Sequence, residues 1–370
     1  MVTINLDLSE AIKSNFKQNL PFCAYKKPNE NQVTLYTQNN DSLNKISNFK
    51  ESGFVFIPFN DVSEGIIFPK NISSISYYTI PETEIKNSDY SSLKTDNSQE
   101  KEHLALVEKA VNYLKKDVVK KIVLSRKQCF KKTDFNSIKT FINLLNVYKN
   151  AMVYMWFHSK IGLWIGATPE LFLSIKNKRF RTMALAGTQK KSNHIIWQKK
   201  EREEQLYVTD FITGILDKKN ISYKKTEAQT IITGNIAHIK TEISGVLQPS
   251  FNLDSLIKDL HPTPAVCGIP KESAKKYILQ HENYSREFYT GFLGELNFTS
   301  FKNRNKRNVE NQVYKNNNKE TNLFVNLRCM QIKNTEICLY IGGGITKDSI
   351  AINEFKETTE KAKNLLCFIQ

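Results

Sequence analysis

The sequence predicts an α+β fold with large antiparallel sheets. Three observations predict it: strand-like and helix-like segments intermingle, hairpin signals are frequent, and regular βαβ spacing is absent. The 370 residues are 40% hydrophobic and 24% charged, which excludes a wholly disordered or collagen-like chain. A chain of this length can bury a large core without disulfides or structural metals.

The first part of the chain reads as short strands and polar turns. Within residues 1–82, the apolar runs at 54–59 and 65–69 are typical of strands. Residues 83–100 are polar and rich in turn formers, so we expect a linker there. Three helices are predicted further on, from apolar side chains at three- and four-residue spacing. They cover 104–114, 198–217 and 352–368.

The remaining segments favour strands and hairpins. Strands are predicted at 121–128, 151–157, 163–165, 171–175 and 180–186, with a turn at 176–179. A final hairpin is predicted from 323–331 and 336–341. Residues 302–320 are almost wholly polar or charged, and we expect an exposed loop between two strands.

The net charge is +16, from 53 Lys and Arg against 37 Asp and Glu. Only eight of the basic residues are Arg, and the lysines are spread along the chain, which favours a solvated surface over a nucleic-acid reader. A Lys-rich polyanion-binding protein is the non-enzyme alternative.

No signal-peptide apolar region and no uncharged 18-residue apolar run occur in the sequence. The six cysteines form no CxxC pair, and we expect Cys329 and Cys338 to be reduced and buried in strands. We therefore expect a cytoplasmic protein that binds no membrane.

Two acidic pairs stand at i, i+3 on predicted helices. They are Glu201 with Glu204 and Glu354 with Glu357, so each pair lies on one helix face. Carboxylates so placed can hold Mg²⁺, which prefers a few carboxylates together with substrate oxygens and water. The alternative is two solvated faces paired with nearby lysines.

Eight short motifs follow one another in a recognisable order. They are KIVLSR (121–126), GATPEL (166–171), LAGT (185–188), HPTPAVCGIP (261–270), REFYTGFLG (286–294), LRC (327–329), GGGIT (342–346) and EFKET (354–358). With these motifs the chain resembles the chorismate-utilising enzymes, and isochorismate synthases most. The resemblance spans residues 103–366. It implies a sandwich of antiparallel sheets with flanking helices, as in anthranilate synthase component I.

The resemblance also implies a division of the chain. Residues 101–370 would form the chorismate-binding catalytic region, and residues 1–100 would be the N-terminal part of the same fold, without a recognisable motif.

The resemblance assigns catalytic roles to Lys121 and Glu170. Conversion of chorismate to isochorismate adds water at ring C2 and expels the C4 hydroxyl, so it needs a base and an acid. Lys121 matches the family's base and Glu170 its acid. A lysine accepts a proton only as the neutral amine, which burial and nearby cations favour. The carboxyl must remain protonated, so we expect Glu170 in an apolar setting or near another carboxylate.

The other expected site residues follow from the same resemblance. Glu204 and Glu357 match direct Mg²⁺ ligands, with Glu201 and Glu354 as supporting carboxylates. Expected substrate-binding residues are Leu185, Gly187, Thr188, His261, Ala265, Tyr289, Arg328, Gly342 and Gly344. Arg328 and Tyr289 would bind the enolpyruvyl carboxylate, and an arginine fork suits that task. For His261 a purely structural role before Pro262 is the alternative.

Within the family, the motif HPTPAVCG favours the branch that uses water. The ammonia-using anthranilate and aminodeoxychorismate synthases tend to carry Gly-Thr where this chain has Pro264 and Ala265. We therefore expect an isochorismate synthase that feeds menaquinone or siderophore biosynthesis. It would bind chorismate, use Mg²⁺ as its cofactor, bind no nucleic acid and act as a monomer without an obligatory protein partner. Salicylate synthase and the ammonia-using branches are the alternatives.

Overall fold

A computed structural model describes residues 7–83, 97–192, 194–233, 236–300 and 318–369. Most of the expected linker at 83–100 and of the expected loop at 302–320 lies outside these residues. At their described ends, residues 97–100 already belong to a helix and residues 318–320 to a strand. No helix in the described ranges is both long enough and apolar enough to cross a membrane.

The described chain contains seven α-helices and 18 strands. The helices are α1 (Leu8–Lys17), α2 (Asn97–Leu114), α3 (Ser137–Val147), α4 (Lys199–Lys218), α5 (Leu253–Leu260), α6 (Lys271–His281) and α7 (Ala351–Leu366). The strands are β1 (Phe22–Lys26), β2 (Gln32–Gln38), β3 (Gly53–Ile57), β4 (Ile66–Pro69), β5 (Ser73–Thr79), β6 (Lys121–Lys131), β7 (Met152–His158), β8 (Gly162–Thr168), β9 (Leu171–Lys176), β10 (Arg179–Lys190), β11 (Tyr223–Lys225), β12 (Gln229–Thr233), β13 (Ile236–Val246), β14 (Gly268–Ile269), β15 (Phe292–Ser300), β16 (Asn318–Val325), β17 (Cys329–Lys333) and β18 (Glu336–Ile345).

The strands form two antiparallel sheets. The first sheet has the order β14-β6-β18-β17-β8-β7-β1-β2-β5. The second has the order β11-β13-β10-β9-β16-β15-β3-β4, with β12 also paired to β13. Strands from residues 22–79 enter both sheets, since β1, β2 and β5 belong to the first, and β3 and β4 to the second. The predicted α+β class with large antiparallel sheets is confirmed.

The sheets pack face to face across an aromatic core. Phe56 of the second sheet contacts Trp156 and Trp164 of the first sheet, and Phe68 stacks on Trp156 with ring centroids 5.2 Å apart. Aromatic pairs of this kind contribute about 0.5–1.5 kcal/mol each beyond the area that they bury. Helices α1, α3 and α7 cover the outer face of the first sheet, and α4 and α5 cover that of the second. The result is a sandwich with flanking helices.

One predicted hairpin differs from the structure. Residues 323–331 do not form a single strand, because β16 ends at Val325 in the second sheet and β17 begins at Cys329 in the first. The chain crosses between the sheets at 326–328, and Arg328 adopts a left-handed backbone with φ of 47°. Apolar residues occur on both sides of Asn326 and Arg328, so the strand-like pattern did not show where the chain changes sheet.

The prediction of a reduced thiol at Cys338 is wrong. Cys129 and Cys338 are directly opposite each other in the β6–β18 ladder, with Cα atoms 4.1 Å apart, and they form a disulfide. The two residues are 209 positions apart in sequence, so only the strand register brings them together. Cys329 is a free, buried cysteine, as expected.

A buried ion pair joins the segments that surround the N-terminal part of β6. Arg286 donates through Nε and Nη2 to the Glu282 carboxylate, at 2.7 and 2.6 Å. Its remaining N–H groups reach the carbonyls of Val123 and Val266 and the hydroxyl of Thr290. All five guanidinium donors are therefore used, the full capacity of the side chain. Burial alone would lower the pKa of Arg286, but Glu282 outweighs it and the pKa is raised.

Replacing Glu282 by Gln should destabilise the protein by about 3–5 kcal/mol, because it leaves a buried guanidinium without its counter-charge. The measurement is urea denaturation at neutral pH. The matched control is Glu272→Gln on the same helix, whose side chain is 83% exposed and which should change stability by less than about 0.5 kcal/mol. Equal midpoints for the two variants would contradict the role given to the pair.

Candidate functional site

A cleft opens where β6, β10 and β18 approach α4 and α7. Of the residues expected at the site, all but His261 and Glu354 line it. The lining residues among them are Lys121, Glu170, Leu185, Gly187, Thr188, Glu201, Glu204, Ala265, Tyr289, Arg328, Gly342, Gly344 and Glu357. Motifs spread over more than 230 positions thus meet in one concave site.

Lys121 is the first residue of β6, and its side chain is only 2% exposed. Its Nζ lies 3.5 Å from Oε2 of Glu204. Gly344 on the adjacent β18 makes room for it, since a Cβ there would lie 2.8 Å from Cε of Lys121. The glycine at 344 is therefore needed for the close approach of backbone and lysine.

Glu170 follows β8 at the cleft wall and is buried. Burial raises the pKa of its carboxyl to about 8, although the charge of Lys121 acts in the opposite direction. The side chain is therefore protonated at neutral pH. Lys121 and Glu170 thus line the same cleft, one as a buried lysine and the other as a buried carboxyl with a raised pKa.

Each of the four predicted metal-site glutamates already has a partner. Glu204 faces Lys121, while Glu201 accepts a hydrogen bond from the backbone N–H of Gln198 at 3.0 Å, as part of a capping box that begins α4. Lys200 of α4 donates to Oε1 of Glu354 on α7 at 2.8 Å. Within α7, Lys361 pairs with Glu357 at 2.7 Å.

The pKa values of the two carboxyl groups on α7 are shifted in opposite directions. Burial raises the pKa of Glu354, and the nearby Lys200 only partly offsets this. Burial also raises the pKa of Glu357, but the charges of Lys361, Lys200 and Lys121 outweigh burial. The pKa of Glu357 is therefore lowered. The carboxylates of Glu204 and Glu357 also act on Lys200, so its ammonium lies within reach of three acidic side chains.

The donor set fits Mg²⁺. It consists of carboxylate oxygens from two helices, which are the hard ligands that this ion prefers. Oε2 of Glu354, which does not line the cleft itself, is buried without any hydrogen-bond partner, so this carboxylate keeps one unused acceptor. Within the described part of the chain, the four glutamates do not form a compact cluster of three ligands, because lysines and a helix cap hold them apart.

Arg328 enters the cleft from the crossover between the sheets. Its Nη2 lies 3.1 Å from Nε2 of His238, and Nδ1 of His238 lies 3.2 Å from the carbonyl oxygen of Gly187. Since guanidinium groups only donate and carbonyls only accept, the network assigns the His238 proton to Nδ1. Burial and then Arg328 lower the pKa of His238 to about 3, so the ring is neutral.

Gly187 forms a bulge in β10, beside His238 of the neighbouring strand β13. The β10–β13 ladder shifts register between Ala186 and Thr188, and Gly187 has φ of 72°. That left-handed conformation favours glycine, and it turns the Gly187 carbonyl toward His238.

Tyr289 closes the side of the cleft nearest Gly342. A Cβ at position 342 would lie 2.8 Å from the Tyr289 hydroxyl, so the glycine leaves room for that hydroxyl. The ring of Tyr289 stacks on Tyr340 at 5.4 Å, and the guanidinium of Arg286 lies 5.9 Å from its centre. The tyrosine is therefore fixed by the core and by the buried ion pair.

His261 lies outside the cleft lining. It is buried, its Nε2 donates to the carbonyls of Pro58 and Phe59, and its ring stands edge-on to Phe292 at 5.1 Å. Burial lowers its pKa to about 3. The structure therefore places it as a structural histidine, the alternative that the sequence left open.

Of the lysine and histidine residues that line the cleft, the sequence did not single out Lys200, His238 or Lys361. Lys361 follows Glu357 by four positions, a spacing that indicates a helix pair. Lys200 directly precedes the first acidic pair. His238 has no local signal, because only the pairing of β13 with β10 brings it beside the LAGT motif.

Known proteins that are similar to this chain include isochorismate synthases. Isochorismate synthase MenF of Pasteurella multocida is 27% identical over 75% of this chain and 64% of its own length. The structure of DhbC from Bacillus anthracis has a TM-score of 0.76 at 22% identity, over 98% of this chain and 99% of that one. The menaquinone-specific isochorismate synthase MenF of Escherichia coli has a TM-score of 0.73 at 18% identity, over 95% and 89%.

The chain spans about half to two thirds of the length of the curated relatives that it matches. The family model described as chorismate binding enzyme matches residues 62–301, and a second model with that description matches residues 312–367. The chain therefore belongs to the chorismate-binding enzyme family.

Proposed function

We propose that the protein is an isochorismate synthase, which interconverts chorismate and isochorismate reversibly and requires Mg²⁺. The observation that carries the proposal is the meeting of buried Lys121 with a protonated Glu170 in one cleft. The names of the similar proteins support the same reaction.

The acid and the base have separate tasks. Hydroxide is a poor leaving group, so the C4 hydroxyl must receive a proton as its C–O bond breaks. Glu170 supplies that proton, and its raised pKa keeps the proton available at neutral pH. Lys121 takes a proton from the water that forms the new C–O bond at C2. Because the reaction is reversible, the two residues exchange roles in the return direction.

The magnesium ion would be held by Glu204 and Glu357, with Glu201 and Glu354 in support. When bound, it supplies positive charge that holds the ring carboxylate of chorismate. Lys361 also lines this end of the cleft and donates to the Gly342 carbonyl at 2.9 Å, which fixes α7 against β18.

The second carboxylate of chorismate would be bound at the other end of the cleft. Arg328 offers a fork of donors there, and Tyr289 adds a hydroxyl. His238 holds the guanidinium in place through Nε2, and thereby acts as a positioning residue. Backbone N–H groups near Gly342 and Gly344 can approach the substrate because no side chain intervenes. Leu185, Gly187 and Thr188 would line the ring.

Water is proposed as the nucleophile, because Ala265 lines the cleft where the ammonia-using enzymes tend to have threonine. We also propose that residues 101–370 carry the catalytic region, that the product enters menaquinone or siderophore biosynthesis, and that the enzyme works in the cytoplasm as a monomer.

The product identifies the reaction. With chorismate and Mg²⁺ at neutral pH, we expect an equilibrium mixture of chorismate and isochorismate, no pyruvate, and no turnover in EDTA. Chromatography and a lactate dehydrogenase-coupled assay measure these products. Stoichiometric pyruvate would indicate a salicylate synthase. Anthranilate formed with added ammonia would indicate the ammonia-using branch of the family. If chorismate binds equally well with and without Mg²⁺ and no product forms, the result would favour a polyanion-binding protein.

Lys121→Met should lower kcat by on the order of 10² to 10⁴, the usual contribution of a positioned general base. Chorismate binding should change less, since Arg328 and the carboxylates remain. The control is Lys120→Met, which removes the adjacent lysine, 46% exposed and paired with Asp117, and should leave kcat unchanged. The role assigned to Lys121 fails if its variant retains more than about a tenth of the wild-type kcat.

Glu170→Gln should abolish turnover and also stabilise the fold. Between pH 4.5 and 8, the unfolded carboxyl is ionised while the folded one is protonated, so wild-type stability falls as pH rises through this window. Glutamine has no such penalty, and at pH 7 the gain should be on the order of 1–3 kcal/mol, vanishing below pH 4.5. Urea denaturation across this pH range measures it, with exposed Glu203→Gln as the control. If the Glu170→Gln variant is no more stable than wild type at pH 7, the Glu170 carboxyl is not protonated in the folded protein, and its role as the acid is contradicted.

A further inference from the structure

Lys200 forms an ion pair that joins the two helices bearing the proposed metal ligands. It lies in the first turn of α4, and its ammonium donates to Oε1 of Glu354 on α7 at 2.8 Å. Its partner is almost fully buried at 3% exposure, whereas Lys200 itself is 35% exposed. The lysine can therefore withdraw to solvent, while the carboxylate cannot.

One oxygen of Glu354 has no hydrogen-bond partner in this pair, unlike the buried pair of Arg286 and Glu282. Both oxygens of Glu282 accept hydrogen bonds from Arg286. In Glu354 only Oε1 is used, and Oε2 is buried without a partner. A buried carboxylate oxygen without a donor is costly, so the Lys200 contact leaves Glu354 able to bind something more.

The ammonium also compensates charge in a crowded acidic site. Glu204 and Glu357 line the same cleft as Lys200, and Glu354 is its direct partner. Carboxylates from two helices repel each other unless a cation lies between them. A lysine ammonium can provide one positive charge for this purpose, and a divalent cation would provide two.

We propose that Lys200 is a built-in counter-cation, which occupies the position between α4 and α7 when no metal is bound and competes with Mg²⁺ for Glu354. The inference rests on the proposed magnesium site, but not on the reaction catalysed there. It gives Lys200 a role in setting metal affinity: the lysine keeps the empty site folded and weakens metal binding by the strength of its own contact.

The test is calorimetric titration of the metal-stripped full chain with MgCl₂, for wild type, Lys200→Met and Lys199→Met. Lys199→Met removes the same charge one residue away, from a side chain that is 88% exposed. We expect Lys200→Met to bind Mg²⁺ roughly threefold to tenfold more tightly, the scale of a partly buried charge-assisted contact, and the control to match wild type. The metal-free Lys200→Met protein should also melt at a lower temperature, and Mg²⁺ should raise its melting temperature more than that of wild type.

Equal or weaker Mg²⁺ binding by Lys200→Met would overturn the inference, because a lysine that merely positions Glu354 would aid the metal. A wild-type chain that gives no Mg²⁺ isotherm would overturn it as well. The reaction is tested separately by product analysis. A protein that binds Mg²⁺ as described but does not convert chorismate would refute the proposed function and leave the role of Lys200 standing.

Discussion

The site depends on the buried pair of Arg286 and Glu282. Through carbonyl and hydroxyl contacts, the guanidinium fixes β6 at Val123, the loop before β14 at Val266, and the turn that carries Tyr289 at Thr290. Glu282 in turn accepts hydrogen bonds from the backbone and side chain of Ser125. These segments come from distant parts of the sequence, and each contributes a wall of the cleft. Removing either charge would leave the other buried and unpaired, so the arrangement is held as a unit.

Much of the fold and the site could be predicted from the sequence. Apolar periodicity located the helices α2, α4 and α7, and β-rich runs located the strands β3, β4, β6 to β10 and β18, because both signals are local. The motifs also singled out a set of charged residues that line one cleft, namely Lys121, Glu170, Glu201, Glu204 and Glu357.

The remainder depends on long-range pairing, which a local pattern does not contain. His238 enters the site through the register of β13 against a bulged β10. Arg328 enters it through a crossover between the sheets, within a segment that the sequence predicted as one strand. Likewise, only the β6–β18 register could pair Cys129 with Cys338. His261 belongs to a motif that reaches the cleft at Ala265, yet its own side chain is directed to backbone carbonyls.

The surface charge and the charge of the cleft act on different stages of binding. The chain carries a net charge of +16, whereas the cationic and anionic side chains around the cleft nearly cancel, since each lysine there faces a carboxylate. A diffusing dianion therefore experiences attraction chiefly from the outer lysines, which speeds its encounter with the protein. That attraction is screened beyond about 8 Å at physiological ionic strength, while contacts inside the cleft are screened much less. Salt should thus slow association far more than it hastens release.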